Sequence, residues 1–226
     1  MRILIVVATA AEIAPVAAAL GEGAARGTRL TSFPRGRHDI DVLTTGVGMV
    51  ATAAWCSRAL ATTDYAIALN FGVCGSFVAE YPPGAVVHVT TDRFSEIGAE
   101  DGEGFLTAQE LGLVGDDEFP FQAGLLVNEE PPPIAALDRL PAVAGITVNT
   151  VHGDAASIAR IVERCRPDVE SMEGAAFMYA CRVQGVPHAQ VRAVSNRVER
   201  RNRESWRMIE AIRGLAAAAL GILDQA

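Results

Sequence analysis

The sequence predicts a single α/β domain, and three observations carry that expectation. The chain has 226 residues, of which 50 % are hydrophobic and 20 % charged, enough for one full core and too apolar for a disordered chain. Its start, Arg2–Ala8, is a continuous apolar run, as in a strand buried on both faces of a parallel sheet. Similar short runs recur along the chain with helical stretches between them.

Taken in order, Thr9 is a natural N-cap, and Ala10–Leu20 is predicted as a helix with Glu12 in its first turn. Glu12 then lies just past the carboxyl end of the first strand, where an acid is ordinarily explained by the helix dipole. Gly21–Gly27 reads as a loop, and Thr28–Phe33 and Asp39–Thr45 as a hairpin turning through Pro34-Arg35-Gly36-Arg37. Thr45-Gly46-Val47-Gly48-Met49 leads into a helix over Val50–Ala61, and its two glycines permit close backbone approach. Tyr65–Phe71 is a buried strand that feeds Gly72-Val73-Cys74-Gly75-Ser76, read as a second glycine-rich turn. Such a turn offers N–H groups to an anion or a ribose hydroxyl, or is simply a turn.

Gly84–Asp92 is the next strand. Residues 92–118 hold nine acidic side chains and no Lys, so a loop is expected over about 93–123, with a short helix at Thr107–Leu111. A loop of that length is usually functional or mobile; it reads as a flap beside a site or as a solvated acidic face. Asn128–Pro133 reads as a rigid exposed linker inside the domain. Gly145–Thr150 is predicted as a strand, and His152-Gly153-Asp154 turns into a helix over Ala155–Cys165. Ser171–Val183 is the next helix and Val186–Val194 the last core strand. Asn202–Leu223 is a long final helix with Trp206, Ile209, Ile212, Leu215, Leu220 and Leu223 on its apolar face. With no repeats and no second domain, residues 1–226 form one unit.

Residues 169–196 organise this pattern. An acid, Glu173, enters a helix, and an amide, Asn196, leaves a strand. Ligands of α/β sheets sit at the carboxyl ends of strands, so this crevice suits a small-molecule nucleoside.

Composition narrows the function classes. A net charge of −8 without a basic groove argues against nucleic acid. The most basic stretch, Arg197-Val198-Glu199-Arg200-Arg201-Asn202-Arg203, reads as a solvated loop, with anion binding as the other reading. Cys56, Cys74, Cys165 and Cys181 form no CxxC pair or zinc spacing, and His38, His88, His152 and His188 are scattered, so neither a metal nor another cofactor is expected. The N-terminus lacks a signal-peptide layout and no apolar run reaches a membrane span, which makes a cytoplasmic protein without a membrane partner the expectation.

Four segments together resemble the purine nucleoside phosphorylase superfamily: Glu12 after the first strand, Gly72-Val73-Cys74-Gly75-Ser76, Val169-Glu170-Ser171-Met172-Glu173, and Arg192-Ala193-Val194-Ser195-Asn196. The resemblance is closest to the nucleosidase branch that includes methylthioadenosine/S-adenosylhomocysteine nucleosidases. Within it, Glu170–Phe177, Ser195–Glu199, Arg201–Arg203 and Gly98–Phe105 are similar to the futalosine hydrolases of the menaquinone pathway. The resemblance implies a three-layer α/β/α domain with a central mixed sheet. It implies that Glu173 binds the ribose hydroxyls, that Met172 packs on the sugar, and that Glu12 orients the attacking water. It places Gly75 and Ser76 beside the ribose and the water or phosphate side, and Asn196 where adenosine-cleaving relatives carry an aspartate. It also implies a homodimer or higher homo-oligomer. The Phe that those relatives place two positions after the Gly-Asp turn is replaced here by the Ala155-Ala156 neighbourhood, so no base-stacking residue is assigned.

The asparagine is chemically informative. Glycosidic cleavage builds positive charge on the sugar and negative charge on the base, and an enzyme gains rate by stabilising both. Hypoxanthine presents a carbonyl acceptor at C6, and N7 carries a proton as the base departs. A carboxamide matches the pair, donating to O6 and accepting from N7–H, whereas a carboxylate would set acceptor against acceptor. Asn196 therefore favours 6-oxopurine nucleosides, although it cannot itself supply the N7 proton. Glu12 as a carboxylate can hold and deprotonate a water, and Glu173 can tighten on a ribose hydroxyl as the oxocarbenium forms. The rivals are a nucleosidase acting on methylthioadenosine, a phosphorylase and a non-catalytic nucleoside sensor. Phosphate needs Arg or nested N–H groups, and Val6–Pro15 holds Glu12 and no Arg, which favours water.

Overall fold

The computed structural model describes every residue except Arg37 and Glu103, so those parts of the predicted hairpin turn and acidic loop lie outside the described residues. β1 (Arg2–Val7) leads through Thr9 into α1 (Ala10–Leu20). β2 (Ala24–Ala25), β3 (Leu30–Arg35) and β4 (His38–Thr44) form an antiparallel meander. α2 (Met49–Thr62), β5 (Ile67–Ser76) and β6 (Val86–Asp92) follow. β7 (Gly98–Asp101) and β8 (Gly104–Thr107) make a separate hairpin. Then come β9 (Leu126–Val127), α3 (Ala135–Asp138), β10 (Ala142–Thr147), α4 (Ala155–Cys165) and β11 (Val169–Ser171). The chain ends with α5 (Gly174–Gln184), β12 (His188–Arg197), a 3₁₀ turn at Arg203–Ser205 and α6 (Met208–Leu223).

Among the described residues ten strands form one mixed sheet in the order β11-β10-β6-β12-β5-β1-β4-β3-β2, with β9 on β6. β1 runs parallel to β4 and β5, and β12 runs parallel to β5 but antiparallel to β6. β11 also pairs with β5, so β11, β10, β6, β12 and β5 close on themselves.

The apolar run of β1 feeds two layers because successive side chains alternate. Ile3, Ile5 and Val7 pack with α1, α3 and α6 through Ile13, Val16, Leu137, Leu215 and Ala219. Leu4 and Val6 pack with α2 and α5 through Cys56, Leu60, Phe177 and Met178. A smaller cluster of Cys74, Val87, Val89, Val143, Val169 and Val194 joins the strands of the closed part. The expected three-layer α/β/α architecture with a central mixed sheet is observed.

Several local expectations are corrected. Gly72–Ser76 continues β5 and is not a turn. The acidic segment carries the β7–β8 hairpin, and the predicted helix at Thr107–Leu111 is only a turn in which Leu111 N–H donates to Thr107 O at 3.0 Å. Asn128 and Pro132 are buried and not linker-like: Asn128 Nδ2 donates to His188 O at 2.6 Å. The predicted strand Gly145–Thr150 lies earlier, at β10, and Val186–Val194 lies later, at β12. Ser171 ends a strand and does not begin a helix. The last helix starts at Met208, leaving Trp206 in extended backbone, and Ile209 is exposed. Small residues, Ala211, Ala216 and Ala219, supply much of the buried face instead, letting α6 sit close on the sheet.

His188 gives this core a pH dependence. Burial holds its imidazole down to about 4, against an ordinary value near 6.5. The unfolded chain therefore takes up a proton as pH falls below 6.5 while the folded chain does not, and stability is lost between pH 6.5 and 4. The contribution is about 2 kcal/mol smaller at pH 5 than at pH 7. Urea midpoints at the two pH values should separate by correspondingly less in His188→Gln.

Candidate active site

The candidate residues fall into two groups: Glu12 and Glu173 follow the ends of β1 and β11 and feel each other's charge, while Asn196 and Gly75 pair near the ends of β12 and β5. Glu12 is the third residue of α1, 9 % exposed. Its Oε2 accepts from Thr9 N at 2.9 Å, the carboxylate half of a capping box, and also from Thr9 Oγ1 at 3.0 Å. Its Oε1 accepts from Val73 N at 3.2 Å, on β5. Both explanations of this acid therefore hold: it closes its helix and also reaches across the first strand.

Glu173 stands at the N-cap of α5, 6 % exposed, but its side chain does not cap that helix. Oε1 instead accepts from Gly48 N at 3.0 Å, at the entrance to α2. Gly48 has φ +96°, a conformation only glycine adopts without strain, and this aims its N–H. Burial raises the Glu173 carboxyl above its ordinary value; the Arg192 charge and the Gly48 N–H pull it down, and nearby Glu12 pushes it up again. The two carboxylates thus share one electrostatic environment.

Arg192 is the residue that the sequence reading missed as a site member. It is 1 % exposed in the middle of β12. Nε donates to Gln190 Oε1 at 3.0 Å and Nη2 donates to Asn70 Oδ1. Gln190 Nε2 donates to Asp92 Oδ2 at 3.0 Å, and Asn70 Nδ2 to Val6 O at 2.9 Å. Burial pushes the Asp92 carboxyl up to about 6, while its bonds from Gln190, Thr147 and the Arg93 N–H oppose the rise. Arg192 Nη1 lies against Gly72, with Glu12 Oε1 on the same side, 3.2 Å from where a Cβ would stand. A Cβ on Gly72 would overlap the guanidinium. Gly72 is thus a space requirement and not a turn. Gly72→Ala is expected to destabilise by about 3 kcal/mol, read as the urea midpoint, because a buried Arg held by Gln190 and Asn70 has nowhere cheap to move.

Asn196 pairs with Gly75 from one side and Glu170 pairs with it from the other, on three neighbouring strands. A Cβ on Gly75 would come 2.8 Å from Val198 Cγ2, and it would lie 3.4 Å from Asn196 Nδ2 and 3.5 Å from Glu170 Cγ, so the glycine makes room chiefly for Val198 beside those two residues. Asn196 Nδ2 donates to Arg197 O at 2.8 Å. The Ser195 hydroxyl lies 2.8 Å from Asn196 Oδ1 and 3.1 Å from Cys74 O. A cleft of about 130 Å³ opens here, lined by Gly75, His152, Glu170, Asn196, Arg201 and Trp206 among others. The larger cleft, about 960 Å³ between the β7–β8 hairpin and α4, is lined by none of Glu12, Glu173 and Asn196.

The remaining expected residues divide. Met172 is half-buried, adjacent in the chain to Glu173. Ser76 is fully buried and its hydroxyl is engaged by Val78, whose carbonyl and N–H lie at 2.9 and 3.2 Å, so the structure gives it a turn-closing role and not a free hydroxyl for ribose. Trp206, expected on a helix face, lines the cleft beside Asn196.

Strand ends bearing two buried acids and an amide, with a buried arginine inside the sheet, fit a known class. The profile described as Phosphorylase superfamily matches residues 2–225. A futalosine hydrolase from Streptomyces coelicolor is 34 % identical over 189 residues, covering 79 % of this chain and 76 % of the relative. A second futalosine hydrolase, from Acidothermus cellulolyticus, is 33 % identical over 222 residues, covering 96 % and 89 %. The chain belongs to the futalosine hydrolase family of the phosphorylase superfamily. Among solved structures, the native futalosine hydrolase of Helicobacter pylori superposes with a TM-score of 0.77 at 16 % identity, covering 100 % of this chain and 98 % of that one. The methylthioadenosine/S-adenosylhomocysteine nucleosidase of Colwellia psychrerythraea, in complex with adenine, superposes with a TM-score of 0.80 at 18 % identity, covering 100 % and 95 %. Both likenesses are at the level of fold.

Proposed function

We propose that this chain is an N-ribosyl hydrolase that cleaves the glycosidic bond of futalosine and releases hypoxanthine and dehypoxanthine futalosine, a step of menaquinone biosynthesis. The observation that carries the reading is the meeting of Glu12 and Glu173 at the strand ends that also present Asn196. A carboxylate has about four lone-pair sites. The Glu12 carboxylate has three donors, Thr9 N, Thr9 Oγ1 and Val73 N, which leaves it one position for a water. That water attacks C1′ from the face opposite the base and gives its proton to Glu12. Glu173 holds a ribose hydroxyl, with Met172 packed on the sugar, and steadies the positive charge that develops there. Asn196 holds the 6-oxopurine.

The choice of water over phosphate rests on a different argument from the one the sequence offered. A guanidinium does reach the water side, because Arg192 arrives from β12. Two of its donors are taken by Gln190 and Asn70, and its Nη1 lies on the same side of Gly72 as Glu12 Oε1. A phosphate dianion there would meet two carboxylates with one partly engaged cation, whereas a neutral water meets no such repulsion. Ribose 1-phosphate formed only in phosphate buffer would sink the hydrolase reading.

The deciding assay follows release of the free base, hypoxanthine from futalosine and inosine and adenine from methylthioadenosine, side by side; futalosine should be cleaved fastest. Faster loss of adenine from methylthioadenosine would favour the adenosine-cleaving nucleosidases. No helix among the described residues is long and apolar enough to cross a membrane. The protein is read as a cytoplasmic homodimer or higher homo-oligomer. Val50 on α2 and Tyr179 and Val183 on α5, helices that share one core layer, support an apolar contact face, since all three are exposed.

A further inference from the structure

The leaving base needs a proton at N7, and neither Asn196 nor the two carboxylates on the sugar side supplies it. We propose that His152, oriented by Glu170, is the general acid that delivers this proton. The inference rests on the hydrolase reading above and adds a residue to it.

Glu170 is 3 % exposed and sits across Gly75 from Asn196. Its Oε2 lies 2.7 Å from His152 Nδ1, and its Oε1 accepts from His152 N at 3.2 Å. Two bonds to one residue fix both the loop and the ring. The Phe77 ring meets the imidazole edge-on, with centroids 6.2 Å apart. With Nδ1 donating to a carboxylate, the ring's working nitrogen is Nε2. His152 and Asn196 line the same 130 Å³ cleft. This is the arrangement of an acid held by a buried carboxylate and presented to a small polar pocket. A purely structural histidine would more often have both nitrogens engaged or buried; here Nδ1 is anchored, and the residue lines both the cleft it shares with Asn196 and the larger cleft beside α4.

The step balances. The C1′–N9 bond breaks and its electron pair goes to the purine. The imidazolium Nε2–H passes to N7, leaving neutral His152, while O6 stays on the Asn196 amide. The water oxygen bonds C1′ and its proton goes to Glu12. Hypoxanthine leaves neutral, and the proton on Glu12 returns to His152 through solvent, so both groups reset.

The test uses the N7-methyl analogue of the cleaved nucleoside, whose base carries its substituent at N7 and needs no proton. Hypoxanthine release by the wild-type protein is measured first and bears on the function itself. The ratio of variant to wild type then bears on His152. His152→Gln should lose about a hundredfold or more on the ordinary nucleoside and keep activity within a few fold on the N7-methyl analogue. Free imidazole should restore part of the loss in His152→Ala. Equal losses on the two substrates would mean that His152 only supports the fold, and no loss on the ordinary nucleoside would mean that the proton comes from elsewhere; either result overturns the proposal.

Discussion

Glu12→Gln should lower kcat by about a thousandfold while changing KM severalfold at most. General-base catalysis contributes about 10²–10⁴ in rate, and Gln at this position can hold a water but cannot take its proton. The geometry also sets a structural cost. Oε2 accepts from the Thr9 N–H and Oε1 from the Val73 N–H. A carboxamide has one acceptor oxygen, so its NH2 must face one of those donors. The mismatch costs about 1–3 kcal/mol, which urea unfolding would detect as a lowered midpoint in a protein that still folds. Single-turnover cleavage measured beside ligand affinity separates the two effects. A kcat near wild type would reduce Glu12 to a helix-closing residue.

Asn196→Asp should move preference from 6-oxopurine toward 6-aminopurine nucleosides. The oxygen side of the amide faces the Ser195 hydroxyl and the nitrogen side faces the Arg197 carbonyl. A carboxylate at that place would set acceptor against acceptor at both Arg197 O and the base O6. A protonated carboxyl, in contrast, donates to adenine N7 and accepts from its amino group. The expected change in the ratio of kcat/KM for inosine over adenosine is about tenfold to a hundredfold. An unchanged ratio would remove the base-recognition argument.

Much of the site was legible because its signals are local. Glu12 follows a strand and an N-cap, and Asn196 ends a strand, so their positions along the chain already place them at the sheet's ligand edge. The sequence pattern puts Glu173 inside a helix that begins at Ser171, whereas it precedes the helix as its N-cap. The error concealed the clearest sign of its role, a capping position whose carboxylate serves another segment. Gly72 and Gly75 were read as turn formers because paired glycines at a strand end usually are. The space they leave is taken up by Arg192 at Gly72 and by Val198 at Gly75, residues that lie far along the chain and approach β5 only after the sheet forms. A signal for Arg192 did exist. Gln190 and Arg192 are polar at alternate positions of an otherwise apolar strand, and their partners on β5 are Asn70 and Gly72. Two buried polar residues on one strand face imply a network, because neither is tolerated alone.

Arginine has donors and no acceptor, and that sets a direction for everything bonded to it. Gln190 must turn its oxygen toward Arg192 and its nitrogen toward Asp92, and Asp92 must accept. Asn70 must likewise turn its oxygen toward the guanidinium, which leaves its nitrogen for the Val6 carbonyl. No member can reverse polarity by itself. Substitutions at Asn70, Asp92, Gln190 and Arg192 should therefore be inherited as a group in descendants of this sequence. In double-mutant cycles they should show coupling of about 1–3 kcal/mol rather than additive losses.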